Sequence, residues 1–353
     1  MDFFNSFAKL NHSKPFVIMR SVIAVLLISL LFSCNNSTPD VSGIKINVTT
    51  QRFEKDLFDT TSPNLVNYLQ HLNKNSSFTQ IFLNRILSVD PRWPADTTAA
   101  YVNGFIRAFR AVYDSAEKIF NDFTPYENEI KKGLQSVKYY FPAYKVPHKI
   151  ITYIGPLDGD GDGINAEDSA LIIGLQVHLG KDFHLYKTSL VQETYPEYIS
   201  RRFEPDYIVI NSMTNILNDI FPEKEEDKPL ISQMIKRGKH LYILSKLLPQ
   251  TDEYKLIGYT KEQLQNCYSH EAVIWDFFVK NSLLQTTDQN KSKNYIDEGP
   301  KTQELGEGAP GNIGSFAGWQ IVKIYMKKNP ANSLQQLMNM DDESIFREAK
   351  YKP

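Results

Sequence analysis

An apolar run near the amino terminus, residues 22–32, most strongly constrains the cellular location of this chain and the part of it that can fold. The run is too short to cross the hydrocarbon core of a bilayer as a helix, which takes about 20 residues. Its length fits the apolar region of a secretory signal peptide, and basic Lys14 and Arg20 precede it. The pattern therefore predicts an exported protein whose folded part begins after this segment.

The run ends in Leu31-Phe32-Ser33-Cys34, which is typical of a bacterial lipoprotein signal. The Cys34 thiol would carry a diacylglycerol, the chain would be cut before it, and the new amino group would be acylated. Several acyl chains on one residue give firm anchoring in a lipid bilayer. Two alternatives are an uncleaved signal anchor and a thiol that merely follows a signal peptide. Translation would begin at Met1 or at Met19.

The lipoprotein interpretation divides the chain into three segments. Residues 1–34 are the signal peptide, residues 35–43 are a polar tether, and residues 44–353 form a single domain. The tether is polar and contains Ser, Thr and Pro, which predicts a short linker between membrane and domain. Asn35 and Asn36 follow the cysteine instead of an acidic cluster, so we expect a periplasm-facing location in the cell envelope, on either membrane.

Charge and cysteine content argue against a nucleic-acid-binding protein and against a fold held by disulfides. The formal net charge is −2, and lysine and glutamate are interspersed, whereas nucleic-acid binders carry a basic stripe. The chain has two cysteines, so acylation of Cys34 would leave Cys267 as the sole thiol and no internal disulfide. We expect Cys267 to be a buried helix residue.

Hydrophobic periodicity predicts an α+β fold that is predominantly α-helical, with a small antiparallel sheet. Strands are predicted at residues 44–48, 148–154 and 170–177. A helix start is predicted at Ser62-Pro63, and the polar segment 285–307 is predicted to be a long surface loop. The other predicted helices are 78–87, 97–120, 126–141, 197–220, 228–247, 260–284, 312–328 and 332–348.

An acidic, glycine-rich loop joins two of the predicted strands. Its start, Asp158-Gly159-Asp160-Gly161-Asp162-Gly163, resembles the first half of an EF-hand calcium loop. The twelfth position is Ser169 where a bidentate glutamate is expected. A looser calcium site would use Asp158, Asp160, Asp162, Glu167 and Asp168. The alternative is a solvated turn in which aspartate and glycine satisfy backbone geometry.

A zinc peptidase site is not visible in the sequence. Zincins need H-E-x-x-H on one helix, because that spacing places two imidazoles on one face. Here His270-Glu271 is followed by Ile274 where the second histidine would stand, and His240 has no partner at helical spacing. The residues therefore indicate no catalytic metal and no cofactor apart from the predicted calcium.

Four segments of the second half share the order and spacing of a known family: Asp168–Leu175 with Leu179–Asp182, Met234–Tyr242, Ile257–Thr260 with Glu271 and Trp275, and Pro310–Met326. With the ending Lys350–Pro353, they resemble the gliding-motility lipoprotein B (GldB) family of Bacteroidetes-type bacteria. The resemblance extends from the lipoprotein signal at Leu31–Cys34 nearly to the last residue.

The resemblance implies an acylated envelope protein linked to gliding motility and type IX secretion, with other envelope proteins as partners. It implies no biochemical activity. The family also resembles zincin-type peptidases distantly, which implies a degenerate zincin-like architecture. Arg237 stands where a Glu-Gly pair would be expected, and the segment 208–221 carries Asn211, Asn215 and Asp219 but no histidine.

The same segments predict packing and a pocket. Gly314 and Gly318 share a helix face and would let another backbone approach closely. Trp275 and Trp319 are expected in the core or in groove walls. If the helices converge, one pocket would be lined by Arg237, Lys239, Glu271 and Gln320.

Three hypotheses on function follow. The first is a non-catalytic lipoprotein of a motility or secretion assembly, bound to the bilayer through Cys34. The second is a periplasmic lipoprotein that binds a ligand or peptide between its C-terminal helices. The third is an unorthodox zinc hydrolase that uses His240, His270 and Glu271.

Overall fold

The computed structural model describes residues 38–59, 65–69, 77–159, 161–165, 169–222 and 228–353. The predicted signal peptide with Cys34 and the helix start at Ser62-Pro63 lie outside these residues. The chain divides into a unit at Met1–Asp40 and a compact unit at Val41–Pro353. Among the described residues, none of the helices combines the length and apolarity that a membrane span requires.

A four-stranded sheet lies in the first half of the compact unit. Its strands are β1 (Thr49–Arg52), β2 (Lys149–Tyr153), β3 (Gly163–Asn165) and β4 (Ala170–Gly174), in the order β1-β2-β4-β3. The side chains of β2 beyond its first residue, and all of those in β4, are buried. Both central strands therefore contribute to the core on both faces.

The sheet is mixed, so the prediction of an antiparallel sheet is wrong. Strands β1 and β2 pair in parallel, as do β2 and β4, and only β3 runs antiparallel to β4. The apolar runs of β2 and β4 explain this, because strands buried on both faces are typical of parallel pairing. The acidic loop crosses over and returns through β3. Residues 44–48 precede β1 and are not a strand.

Helices make up most of the compact unit, as the fold class predicted. In the first half, residues 65–69 are also helical and a π-helix at Phe82–Ile86 follows α2. The helices are α1 (Phe53–Phe58), α2 (Ser77–Ile81), α3 (Ala95–Phe120), α4 (Thr124–Tyr140), α5 (Ser189–Thr194), α6 (Glu197–Ser200) and α7 (Tyr207–Ile220), with 3-10 turns at Leu175–Val177 and His184–Lys187.

The second half is helical apart from its connections and a 3-10 turn at Gln303–Leu305. The helices are α8 (Leu230–Leu247), α9 (Glu253–Leu256), α10 (Lys261–Ser269), α11 (Glu271–Lys280), α12 (Gln289–Ile296), α13 (Ile313–Lys328), α14 (Leu334–Asn339) and α15 (Asp342–Ala349). Three helices predicted as continuous, at 197–220, 260–284 and 332–348, are each broken in two. The segment 285–307 is not a plain loop, because Asp288 caps α12 through the amides of Asn290 and Lys291.

Helices α8 and α13 cross at glycines, which confirms the predicted close approach. A Cβ on Gly314 would meet the carbonyl oxygen of Tyr295, and one on Gly318 would meet that of Met234. Gly238 in α8 faces Gly318 in the same way. Trp319 is fully buried beside this crossing. The degenerate zincin-like architecture stays a prediction.

Candidate functional site

A cleft of about 260 Å³ opens between α7, α8 and α9 and the amino end of α13. Leu241 and Leu244 of α8 form an apolar wall, and Thr214 and Asn218 of α7 contribute polar side chains. Residues 214 and 218 are four apart and therefore lie on one face of α7. Because α7 also contributes Ile210 and Leu217, and α8 also contributes Arg237 and His240, the lining is mixed in polarity.

Cationic side chains surround the cleft. Arg202, Arg237 and Lys255 line it, together with one carboxylate, that of Glu298. Arg202 donates through both terminal nitrogens to Glu298. Lys255 Nζ donates to Asp206 Oδ2 at 2.7 Å, and this hydrogen bond raises the pKa of Lys255. Counted over the described lining residues with histidine neutral, the cleft is net positive, and Asp206, outside that lining, offsets the charge of Lys255.

The amino end of α13 forms one end of the cleft. Asn312 adopts the left-handed conformation, with φ 59° and ψ 28°, and its side chain does not cap the helix. Ser315 is 1% exposed. In the described part of the chain, neither Asn312 Oδ1 nor Ser315 Oγ finds a hydrogen-bond partner. A buried hydroxyl without a partner is costly, so this end of the cleft can accept a hydrogen-bonding group.

A buried polar network fixes the acidic loop beside α7. Asp162 Oδ2 lies 2.8 Å from His178 Nε2 and accepts from Asn211 Nδ2 at 2.9 Å, while Oδ1 accepts from the Gly174 amide at 3.1 Å. The side chain of Asp162 is 6% exposed. Of the residues predicted to bind calcium, Asp162 therefore points inward, whereas Asp158 is exposed. Asp160, Glu167 and Asp168 lie outside the described residues, and calcium binding stays a prediction.

The four residues predicted to share a pocket have different surroundings. Arg237 lines the cleft. Lys239 is buried and pairs with Asp342 Oδ1 at 2.7 Å. Glu271 Oε1 accepts from Tyr351 Oη at 2.8 Å, and Gln320 is buried in α13. The cleft therefore takes only Arg237 from the predicted set.

The histidines of the hydrolase hypothesis occupy separate local environments. His240 lines the cleft, and its Nδ1 lies 3.0 Å from the Lys236 carbonyl oxygen one turn earlier. His270 ends α10, with Nδ1 2.9 Å from the Asn266 carbonyl oxygen. Among the described residues, no group of three or more His, Cys, Asp or Glu side chains is arranged to hold a metal ion. This observation leaves the enzyme question open.

Sequence reasoning missed Asn312 and Ser315 as site residues. Both lie in or beside Pro310-Gly311-Asn312-Ile313-Gly314, a segment that carries the family resemblance. The signal that could have found them is an asparagine followed by a glycine-containing helix start, since such starts often bind anions.

Comparisons with known proteins identify the family. No curated protein and no solved structure matches the chain. The model of the family described as gliding motility protein GldB matches residues 34–353. The match covers nearly the whole chain and includes α7, α8, α13 and the cleft between them. The chain therefore belongs to the gliding motility protein GldB family.

Proposed function

We propose that this protein is a non-catalytic, lipid-anchored component of the gliding-motility and type IX secretion apparatus, on the periplasmic side of the envelope. The observation that carries the proposal is the start of the family match at residue 34, the cysteine predicted to become the first residue of the mature chain. Acylation of Cys34 would hold the protein at the bilayer.

The length of the tether restricts where partners can meet the protein. The compact unit begins at Val41, so residues 35–40 separate it from the acylated cysteine. Six residues span at most about 20 Å when fully extended. The partners we propose are envelope proteins of the apparatus that can reach a domain attached to the bilayer by this short segment.

The non-catalytic part of the proposal is supported by residue types. The sequence contains no H-E-x-x-H. Helix α7, which faces α8 across the cleft, carries Asn211 and Asn215 at the four-residue spacing that histidines would need. Arg237 brings a positive charge to the cleft where a zinc site would require anionic or neutral ligands.

The test is a comparison of cells that carry Cys34→Ala, Cys267→Ala or the deletion with wild-type cells. We expect the Cys34→Ala protein to leave the membrane fraction after a carbonate wash, or to stay uncleaved, and spreading and secretion to fail as in the deletion. Cys267→Ala, the matched control, should behave as wild type in fractionation. Normal spreading and secretion in the deletion strain would refute the proposal, and a membrane-bound Cys34→Ala protein of mature size would refute the lipid anchor.

The cleft favours a second candidate function, a lipoprotein that binds a ligand or peptide. The third candidate, a zinc hydrolase at His240, His270 and Glu271, has the least support from the described residues. Elemental analysis of protein purified without chelator separates it from the others. Near-stoichiometric zinc, together with hydrolytic activity that Glu271→Gln abolishes, would replace the non-catalytic proposal.

A further inference from the structure

We propose that the cleft binds the carboxylate end of a peptide chain, with the α-carboxylate at the amino end of α13 and an apolar last side chain against α8. The inference goes beyond the membrane anchor and the motility role, because it concerns a site in the compact unit alone. Its chemistry rests on three features of the cleft.

The first feature is the uncapped start of α13. The first turn of a helix leaves backbone N–H groups without intrahelical partners, and the helix dipole adds partial positive charge there. Helix α13 is 16 residues long, and the side chain of Asn312 does not cap it. Ser315, in this first turn, lines the cleft with a buried hydroxyl that has no partner among the described residues. An incoming carboxylate oxygen would satisfy that hydroxyl.

The second feature is the distribution of charge. Arg202, Arg237 and Lys255 line the cleft, and the described part of the lining contains one carboxylate, that of Glu298. Glu298 already accepts from Arg202, so it competes with a bound carboxylate for that guanidinium. We assign the attraction to the cationic side chains of the lining together with Ser315 and the first turn of α13. Removal of the Glu298 charge should strengthen binding.

The third feature selects a peptide as the source of the carboxylate. Thr214 and Asn218 of α7 line the cleft together with Leu241 and Leu244 of α8. A peptide backbone offers hydrogen bonds to the polar side chains, whereas a hydrocarbon tail would bury them without partners. The volume of about 260 Å³ lies just below the usual range for small-molecule pockets, which fits the end of a chain.

The test uses fluorescently labelled hexapeptides that differ only in the last residue, each made with a free carboxylate and with a terminal amide. Binding to the full chain in a mild detergent is measured by fluorescence anisotropy. We expect saturable binding of free-acid peptides with apolar last residues, and binding at least about tenfold weaker for their amides, because a hydrogen bond to a charged group is worth more than a neutral one.

Variants assign the site. Arg237→Gln should weaken binding about tenfold and Ser315→Ala about fivefold, whereas Glu298→Gln should tighten it about threefold. Arg92→Gln and Ser269→Ala, matched substitutions at exposed positions outside the cleft, should leave the dissociation constant unchanged. A gain of affinity in Glu298→Gln cannot come from a folding defect, which makes it the most informative variant.

Three results would overturn the inference. The first is equal binding of the free acid and the amide. The second is the absence of binding by every peptide up to about 1 mM, a concentration at which even weak complexes form. If inorganic phosphate still bound in that case, the cleft would be a plain anion site. The third is an unchanged dissociation constant in both Arg237→Gln and Ser315→Ala.

Discussion

Gly318 of α13 lies against the backbone carbonyl of Met234 in α8, so closely that no side chain fits between the two helices. A Cβ on Gly318 would lie within 3.0 Å of that carbonyl oxygen, a separation that real Cβ atoms essentially never show. Gly238 of α8 meets Gly318 from the other side. The crossing of the two longest C-terminal helices thus depends on the absence of side chains at these positions.

Gly318→Ala should destabilise the protein by about 3 kcal/mol, because the obstacle is backbone and the helices must separate. Gly104→Ala is the matched control, since Gly104 lies inside α3 with no neighbouring atom within 4 Å of a new Cβ. That substitution should stabilise by about 0.5–1 kcal/mol through helix propensity. Urea unfolding followed by circular dichroism measures both. Similar effects of the two substitutions would contradict the close crossing.

Asp342→Asn should destabilise the protein by about 3 kcal/mol or more, because it leaves a buried ammonium without its counter-charge. Lys239 Nζ, on a side chain only 4% exposed, contacts Asp342 Oδ1 at 2.7 Å and donates to the Met340 carbonyl oxygen at 2.6 Å. Asp276→Asn breaks an exposed pair with Lys280 and should cost at most about 0.5 kcal/mol. The double variant Lys239→Met/Asp342→Asn should recover stability. An equally unstable double variant would show that the loss is not one of charge pairing.

Titration of the Glu54 carboxyl group should make the free energy of unfolding fall as pH rises. Burial raises the pKa of Glu54 above its ordinary value of 4.5, although Arg52 Nε lies 2.5 Å away and Thr152 donates to the carboxylate at 2.7 Å. The folded protein therefore holds this proton more tightly than the unfolded chain does. As pH rises from about 4.5 through the raised value, the wild type loses stability relative to Glu54→Gln, which does not titrate.

Urea unfolding of both proteins between pH 4.5 and 8 measures this difference. We expect the stability of Glu54→Gln relative to wild type to increase with pH. A decrease would show that attraction by Arg52 outweighs burial and that the folded-state pKa is lowered.

Asp162→Asn should lower stability by about 1–3 kcal/mol, because it removes the charge that two N–H donors and the His178 ring contact and leaves buried groups poorly paired. Asp158→Asn changes an exposed carboxylate of the same loop and should have little effect. Thermal unfolding in calcium and in chelator measures both variants and tests the calcium prediction. A calcium-dependent midpoint that Asp158→Asn abolishes would support that prediction. Wild-type stability of Asp162→Asn would contradict the structural role.

The Cys267 thiol should react with Ellman's reagent only after unfolding. It is 2% exposed, and burial raises its pKa to about 12, so almost no thiolate exists at pH 8. Cys34 is the other cysteine of the chain. Membrane-extracted native protein should therefore show no fast-reacting thiol when Cys34 is acylated, and one thiol in guanidinium. A fast thiol that disappears in Cys34→Ala would contradict acylation.

Helix positions could be predicted from the sequence because apolar residues at helical spacing form the face that the structure buries. The burial of Cys267 was predicted from its place in a helix, and the close approach at Gly318 was predicted from the four-residue spacing of Gly314 and Gly318. The direction of β4 relative to β2 was predicted wrongly, although apolar runs buried on both faces are typical of parallel strands. Helix α12 was missed because its residues are mostly polar, and only the Asp288 cap and the buried Tyr295 and Ile296 support it.

The site was predicted less well than the fold, and helix geometry explains why. Arg237 and Lys239 were assigned to one pocket, yet residues two positions apart on a helix project in directions about 160° apart. Arg237 therefore faces the cleft, and Lys239 faces α15. Ser315 was overlooked because small polar residues at helix starts usually act as caps. Only the three-dimensional structure shows that its hydroxyl is buried without a partner in the described residues.

The contacts of Tyr351 have a consequence for proteolysis. Its ring packs edge-to-face on Trp275, and its hydroxyl bonds to Glu271, while Ile345 of α15 is fully buried and Lys328 holds the Ala349 carbonyl. The core that α8 and α13 share is closed by residues that follow both helices in the sequence. A fragment that ends after α13 would leave Trp275 without the Tyr351 ring and the buried Lys239 without Asp342. Proteolytic removal of this segment would therefore expose apolar surface and unpair a buried charge in the shared core.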